Sequence, residues 1–86
     1  MMVTFTANGW EDYLYWQKQD RRTLKRINEL IKDIQRNGFV GKGKSEPLKG
    51  NLSGMWSKRI DSENRLVFTI DNGAVVIYSC RFHYTH

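Results

Sequence analysis

Residues 54–70 constrain the fold most, because they combine strand alternation with a turn signal. Apolar runs at 55–60 and 66–70 flank the polar residues 61–64, a pattern typical of an antiparallel hairpin. Side chains alternate between the two faces of a strand. The residues predicted to face the core are Trp56, Ile60, Leu66, Phe68 and Ile70. Arg59 and Arg65 then lie together on the opposite face, where two cations repel and an anionic partner is expected.

Two helices are predicted before this hairpin. Residues 2–6 are rich in β-branched side chains and indicate a first strand, and Asn8-Gly9 indicates a break that could also cap the helix that follows. Apolar residues at helical spacing predict an amphipathic helix over 10–19. Asp20 is the predicted N-cap of a second helix that ends at Asn37-Gly38. Its predicted apolar stripe is Leu24, Ile27, Leu30, Ile31 and Ile34.

The remainder of the chain predicts a sheet. Asp71-Asn72-Gly73 is a strong hairpin signal, and residues 74–83 are predicted to form a long last strand. On that strand Arg81 and His83 would share one face, and Phe82 and Tyr84 the other. The element order is β-α-α-β-β-β-β, which gives an α+β fold with two helices on one face of a mostly antiparallel sheet. The 86 residues are expected to form a single domain, 1–86.

Composition narrows the function classes. A formal charge of +5 favours a polyanionic partner, although many ordinary basic proteins share it. No apolar run resembles a signal peptide or a membrane span, so a cytoplasmic protein is expected. The single Cys80 excludes an internal disulfide and is expected to be a buried thiol. Trp10, Tyr13, Tyr15 and Trp16 are expected to pack in the core, with base stacking as the alternative.

The polar residues suggest one kind of chemistry. Neither a metal site nor a serine or cysteine triad has the ligand or base spacing it needs, so no metal and no cofactor is expected. Glu46 stands among Lys42, Lys44 and Lys49, either as an ordinary surface residue or as a carboxylate ready to accept a proton.

Further candidates near the arginine face are Arg81, His83 and Tyr84. A carboxylate, a histidine and arginines would suit metal-free RNA cleavage, in which the ribose 2′-OH attacks its own phosphate. The alternatives are a surface histidine and arginines that only bridge to carboxylates.

Motifs across nearly the whole chain resemble the YoeB/Txe toxins of the RelE/ParE superfamily of type II toxin–antitoxin systems. They are WEDYLYWQ at 10–17, KRINELIKDI at 25–34, GKGKSEPLK at 41–49, LSGMWSKRI at 52–60, ENRLVF at 63–68 and RFHY at 81–84. The resemblance implies a ribosome-dependent mRNA endoribonuclease that cuts codons in the ribosomal A site. The rival is a non-enzymatic, ParE-like inhibitor of a protein target. A plain nucleic-acid-binding module is a third reading.

The resemblance also implies roles for individual residues. Glu46 matches the general base, Arg65 the phosphate-stabilising arginine, His83 the proposed general acid and Tyr84 a residue that positions the substrate. Arg59 and Lys49 match supporting cationic positions.

The partners implied by the resemblance are mRNA, the 70S ribosome with its rRNA, a YefM-like antitoxin and a second copy of the chain in a homodimer. Operator DNA is expected to be bound only through the antitoxin. No membrane partner is expected.

The chain departs from the family pattern at a few positions. Ser45 and Gly38 replace prolines that usually precede Glu46 and Phe39, and Lys58 stands where arginine is frequent. Thr85-His86 extend the chain beyond Tyr84, which is typically the last residue.

Overall fold

The computed structural model of the chain describes residues 1–41 and 45–83. Two helices pack against a five-stranded sheet of order β1-β5-β4-β3-β2. The elements are β1 (Met2–Phe5), α1 (Ala7–Gln19), α2 (Arg21–Asn37), β2 (Glu46–Pro47), a 3-10 turn (Gly50–Leu52), β3 (Trp56–Arg59), β4 (Arg65–Asp71) and β5 (Ala74–Ser79). Among the strands that the structure describes, only the pairing of β1 with β5 is parallel. The predicted fold class and element order are therefore confirmed.

Helix α1 begins earlier than predicted. Its N-cap is Thr6, whose side chain accepts a hydrogen bond from the Gly9 amide at 3.1 Å. The predicted break at Asn8-Gly9 is therefore wrong, because both residues lie inside the helix. Gly9 is buried there, and a Cβ on it would stand 2.3 Å from the Ile77 carbonyl oxygen. The glycine serves a close approach between helix and strand, which local sequence does not distinguish from a turn.

Helix α2 matches its prediction at both ends. The Asp20 carboxylate caps it by accepting from the amides of Arg22 and Thr23, at 3.0 and 3.2 Å. Gly38 ends it with a positive φ of 67°. Proline cannot adopt that conformation, so the glycine suits this helix end better than the usual proline would. The predicted apolar stripe packs into the core.

Both predicted hairpin turns are present. Asp61 closes the first by accepting from the amides of Glu63 and Asn64, at 2.8 and 2.7 Å. Asn72 and Gly73 form the second with φ values of 50° and 75°, as a primed two-residue turn requires.

The predicted last strand is too long. Strand β5 ends at Ser79, and the register between β4 and β5 shifts at Val67/Phe68. The Cys80 amide and carbonyl then bond to α1 side chains, and Phe82 has a φ of 65°. Strand alternation consequently does not govern Arg81 and His83, and the face predicted for them is wrong.

The core lies between the helices and the sheet. All five hairpin residues predicted to face the core belong to it or pack against it. Cys80 is fully buried, as expected, and burial followed by the nearby Asp12 charge raises the pKa of its thiol to about 12. Among the four aromatic residues, Tyr13, Tyr15 and Trp16 pack in or against the core, whereas Trp10 is 47% exposed. Neither helix in the described ranges has the length and apolar character that crossing a bilayer demands.

Candidate active site

The two arginines of the first hairpin face each other across the sheet. Arg59 of β3 is the direct partner of Arg65 of β4 in the antiparallel register. Directly opposed residues have Cβ atoms roughly 4.5–5.5 Å apart on the same face. Arg59 is exposed and Arg65 half-buried, so solvent reaches both. This confirms the predicted pair on the face remote from the helices.

The hairpin turn holds Arg65. Its Nη1 donates to the carbonyl oxygens of Asp61 and Asn64, at 2.6 and 3.1 Å. Among the described residues, no other part of the guanidinium donates a hydrogen bond. A guanidinium has five N–H donors, so the group is oriented by one nitrogen and can present the others to an anion.

The ionised form of Asp61 is stabilised within the same turn. Burial raises the pKa of its carboxyl, but the hydrogen bonds from Glu63 and Asn64 and the Arg65 charge outweigh burial, so the pKa is lowered. The backbone of Arg59 is held by α2, because Arg26 Nη2 donates to the Arg59 carbonyl oxygen at 3.2 Å. Hydrogen bonds to main-chain carbonyls thus hold the side chain of Arg65 and the backbone of Arg59.

Glu46 reaches the same face through β2. Its register partner is Ser57, which lies two residues before Arg59 and shares its face. The Glu46 side chain is exposed. The register thus brings a carboxylate and two arginines to one surface. Of the lysines expected around Glu46, Lys49 is exposed just after β2, while Lys42 and Lys44 lie outside the described residues.

The face is less open than the sequence suggests. Ser57 and Val67 lie between Glu46 and Ser79 in one cross-strand row, and they are only 3% and 4% exposed. This row therefore offers little accessible surface between Glu46 and Ser79. The two arginines face each other in a separate row of the same face.

His83 lies in the segment that follows β5. The Phe82 carbonyl oxygen accepts from the Arg65 amide at 3.0 Å, and the Phe82 amide donates to Asn64 Oδ1 at 2.7 Å. The next residue, His83, therefore stands beside the backbone of Arg65, and its side chain is exposed. Tyr84, the remaining candidate, lies outside the described residues, as do Thr85-His86.

Arg81 does not join this cluster. Its guanidinium carbon lies 3.5 Å from the centroid of the Tyr15 ring on α1, a cation–π contact. Asp12 lies near the same arginine, and its Oδ2 accepts from the Cys80 amide at 3.0 Å. Burial raises the pKa of Asp12, against the opposing effects of that hydrogen bond and of Arg81. Arg81 thus packs the segment after β5 against α1.

Lys58 is the charged residue whose burial the sequence reasoning missed. It is fully buried on the helix side of β3, where its Nζ lies 3.9 Å from Asp33 Oδ2 of α2. Burial lowers its pKa, against the raising effect of Asp33. The signal was present, because alternation places Lys58 on the same face as Trp56 and Ile60. Lys58 therefore contributes to the packing between β3 and α2 and does not lie on the exposed arginine face.

Metal-ligand clusters are absent from the described part of the chain. Residues 1–41 and 45–83 contain no group of three or more His, Cys, Asp or Glu side chains arranged to hold a metal ion. The described candidates are instead one carboxylate, one imidazole and several cations, all of them exposed or half-buried.

Comparison with known proteins identifies the family. A family model described as YoeB-like toxin of bacterial type II toxin–antitoxin system matches residues 5–84. The chain belongs to this family. The toxin YoeB of Escherichia coli K12 is 54% identical over 84 residues, which cover 98% of this chain and 100% of the relative.

Solved structures of YoeB-like toxins agree with the fold. A YoeB/ParE toxin from Agrobacterium tumefaciens superposes with a TM-score of 0.94 at 42% identity, covering 98% of this chain and 100% of that one. Two structures from Staphylococcus aureus, a YoeB–YefM complex and a YoeB dimer, superpose with TM-scores of 0.90 at 47% and 48% identity. Each covers 98% of both chains.

Proposed function

We propose that the chain is a ribosome-dependent mRNA endoribonuclease that cleaves codons in the ribosomal A site and so stops translation. The observation that carries the proposal is the direct opposition of Arg59 and Arg65 on a face that also bears Glu46. Two opposed cations on an exposed surface favour a bound anion, and a backbone phosphate of RNA supplies one. Membership of the YoeB-like toxins supports the same reading.

The proposed reaction is an attack by the ribose 2′-OH on the adjacent phosphate, with departure of the 5′-oxygen of the next nucleotide. Glu46 accepts the 2′ proton, and His83 donates a proton to the leaving oxygen. Arg65 stabilises the negative charge that builds on the phosphorane. The 2′-OH is the nucleophile, so the substrate is RNA and a DNA strand is not cut.

The supporting cations have a different task. Arg59 and Lys49 hold the substrate backbone near the reacting phosphate, where a planar guanidinium can donate two hydrogen bonds. The proposal that Tyr84 positions the substrate rests on the family resemblance alone. The basic surface would bind rRNA, with affinity that falls as salt rises.

The proposed partners follow the family. A YefM-like antitoxin binds the toxin and silences the site, and two toxin copies form a homodimer. The YoeB–YefM complex and the YoeB dimer of the Staphylococcus aureus relatives support both. Operator DNA is reached through the antitoxin, and the protein acts in the cytoplasm with the ribosome.

The test is single-turnover cleavage of an mRNA on 70S ribosomes, with the new 5′ ends mapped by primer extension. We expect wild type to cut in the A-site codon. Arg65→Ala and His83→Ala should each cut about 10²–10³-fold more slowly, the usual effect of losing an electrostatic stabiliser or a general acid. Arg36→Ala, which removes an exposed arginine of α2, is the matched control and should stay within about threefold of wild type.

Two results would overturn the proposal. One is the absence of cleavage by wild type on ribosomes, and the other is equal rates for wild type and both site variants. Growth arrest with intact messages would favour the ParE-like reading, in which the chain inhibits a protein target without cutting RNA.

A further inference from the structure

The segment that carries His83 is held by α1 at its start. The Cys80 amide donates to Asp12 Oδ2 at 3.0 Å, and the Cys80 carbonyl oxygen accepts from Trp16 Nε1 at 2.7 Å. Asp12 and Trp16 lie one helical turn apart on α1, so both face the same segment. The strand has ended at Ser79, and these two side chains replace the sheet partners that the Cys80 backbone lacks.

The same segment is held near its end by the first hairpin. Asn64 Oδ1 accepts from the Phe82 amide at 2.7 Å, while Asn64 Nδ2 donates to both oxygens of the Asp61 carboxylate, at 3.1 and 3.2 Å. The Asn64 carbonyl oxygen accepts from Arg65 Nη1. One residue thus contacts both the arginine proposed to act on the phosphate and the residue before the proposed acid.

The backbone between these anchors needs to be held. Phe82 has a φ of 65°, a left-handed conformation that residues other than glycine rarely adopt. Its side chain is 62% exposed, so burial of the ring does little to compensate. Such conformations persist where the surroundings determine them, and they cluster at functional sites. Here hydrogen bonds at Cys80 and at both polar backbone groups of Phe82 fix the turn.

We propose that Asp12 and Asn64 are positioning residues of the cleavage reaction, which set the place of His83 relative to Arg65 through the backbone of Cys80 and Phe82. Neither side chain touches the substrate. Asp12 acts from the helix layer on the far side of the sheet, and Asn64 from the hairpin turn. The inference rests on the proposed function, because it assumes that His83 donates a proton to the leaving oxygen.

The test compares Asp12→Ala, Asp12→Asn and Asn64→Ala by single-turnover cleavage at saturating toxin, by ribosome affinity and by thermal unfolding. A displacement of about 1 Å in a reacting group can slow a reaction by about 10²-fold. We therefore expect Asp12→Ala and Asn64→Ala to lower the saturating rate constant about 10- to 100-fold, with ribosome affinity within about twofold of wild type. Asp12→Asn retains an oxygen that can accept from the Cys80 amide, so its rate should stay within about threefold.

The matched control is Tyr13→Phe, which removes one side-chain hydrogen bond of α1. The Tyr13 hydroxyl donates to Asn28 Oδ1 at 2.7 Å, away from the His83 segment. This variant should lose thermal stability comparably to Asp12→Ala and keep the wild-type rate. A rate loss in Tyr13→Phe as large as that in Asp12→Ala would show that general destabilisation is the cause, and would overturn the inference.

A double-mutant cycle supplies a readout that a purely structural role would not move. If Asp12 acts through His83, Asp12→Ala should change the residual rate of the His83→Ala variant by less than about twofold. Additive losses would overturn the inference, as would wild-type rates in folded Asp12→Ala and Asn64→Ala. If Asp12→Ala fails to fold, Asn64→Ala alone decides. Absence of cleavage by wild type overturns the proposed function and this inference together, whereas cleavage with unaffected variants overturns only the inference.

Discussion

Replacing Gly9 with alanine tests how tightly α1 packs on the sheet. On helix propensity alone, alanine in a helix interior is favoured over glycine by about 1 kcal/mol. The structure predicts the opposite sign. A Cβ at this position would stand 2.3 Å from the Ile77 carbonyl oxygen and 3.1 Å from its carbon. Both are backbone atoms, and the same oxygen accepts a hydrogen bond from the Thr6 amide at 3.0 Å, so neither can simply rotate away.

The size of the effect follows from these two opposing contributions. Overpacking a well-filled site commonly costs about 1–3 kcal/mol, and a clash with backbone belongs near the upper end. After subtraction of the propensity gain, Gly9→Ala should lower the free energy of unfolding by about 2 kcal/mol. For a domain of this size that corresponds to a fall in Tm of about 8–16 °C.

The measurement is thermal and urea unfolding followed by circular dichroism. Gln17→Ala, at an exposed position of the same helix, controls for propensity and should change stability by no more than a few tenths of a kcal/mol. An unchanged or higher Tm for Gly9→Ala would show that α1 can move away from β5 at little cost. The reasoning about close helix–strand approach would then be refuted.

Two further predictions concern charged residues around the first hairpin. Lys58→Ala should lower the free energy of unfolding by about 3–5 kcal/mol, because it leaves a cavity and removes the cation 3.9 Å from Asp33. Lys58→Met removes the same cation but keeps the volume of the stem, so its loss should be about 2 kcal/mol smaller, and equal losses in urea unfolding would contradict the packing argument. Asp61 has a lowered pKa in the folded chain, so its contribution is complete above its ordinary value of 3.8 and is lost as pH falls through the lowered value. The stability difference between wild type and Asp61→Asn, less than about 1 kcal/mol because solvent screens the group, should therefore shrink as the pH falls below 3.8, and a constant difference would refute this sign.

The sequence was most informative where structure depends on local periodicity. Alternation of period two predicted which residues of β3 and β4 join the core, and with it the opposition of Arg59 and Arg65, although it did not predict the burial of Ser57 and Val67 on the other face. Capping chemistry predicted the start of α2 at Asp20 and its end at Gly38. Each of these features needs only a few neighbouring residues, so tertiary contacts had little opportunity to override them.

The failures share a different cause. Gly9 was interpreted as a break, because a glycine that admits a strand carbonyl looks the same in sequence as one that makes a turn. Strand β5 was extended to His83, because nothing local shows that Asp12 and Trp16 capture the Cys80 backbone from about 65 residues away in the chain. The position of His83 therefore depends on long-range hydrogen bonds, which periodicity does not encode.

The neighbouring cations Lys58 and Arg59 show why charge counts alone do not locate a site. Both contribute equally to the formal charge of +5, but they are adjacent in β3 and therefore point to opposite faces of the strand. Lys58 is buried, and its ammonium group interacts with Asp33 of α2 inside the protein. Arg59 faces solvent opposite Arg65, and the nearby Asp61 carboxylate interacts with the charge of Arg65. Because two main-chain carbonyls of the hairpin turn engage a single nitrogen of Arg65, the pair retains capacity for an anion, and this capacity supports the proposal that a phosphate of RNA binds here.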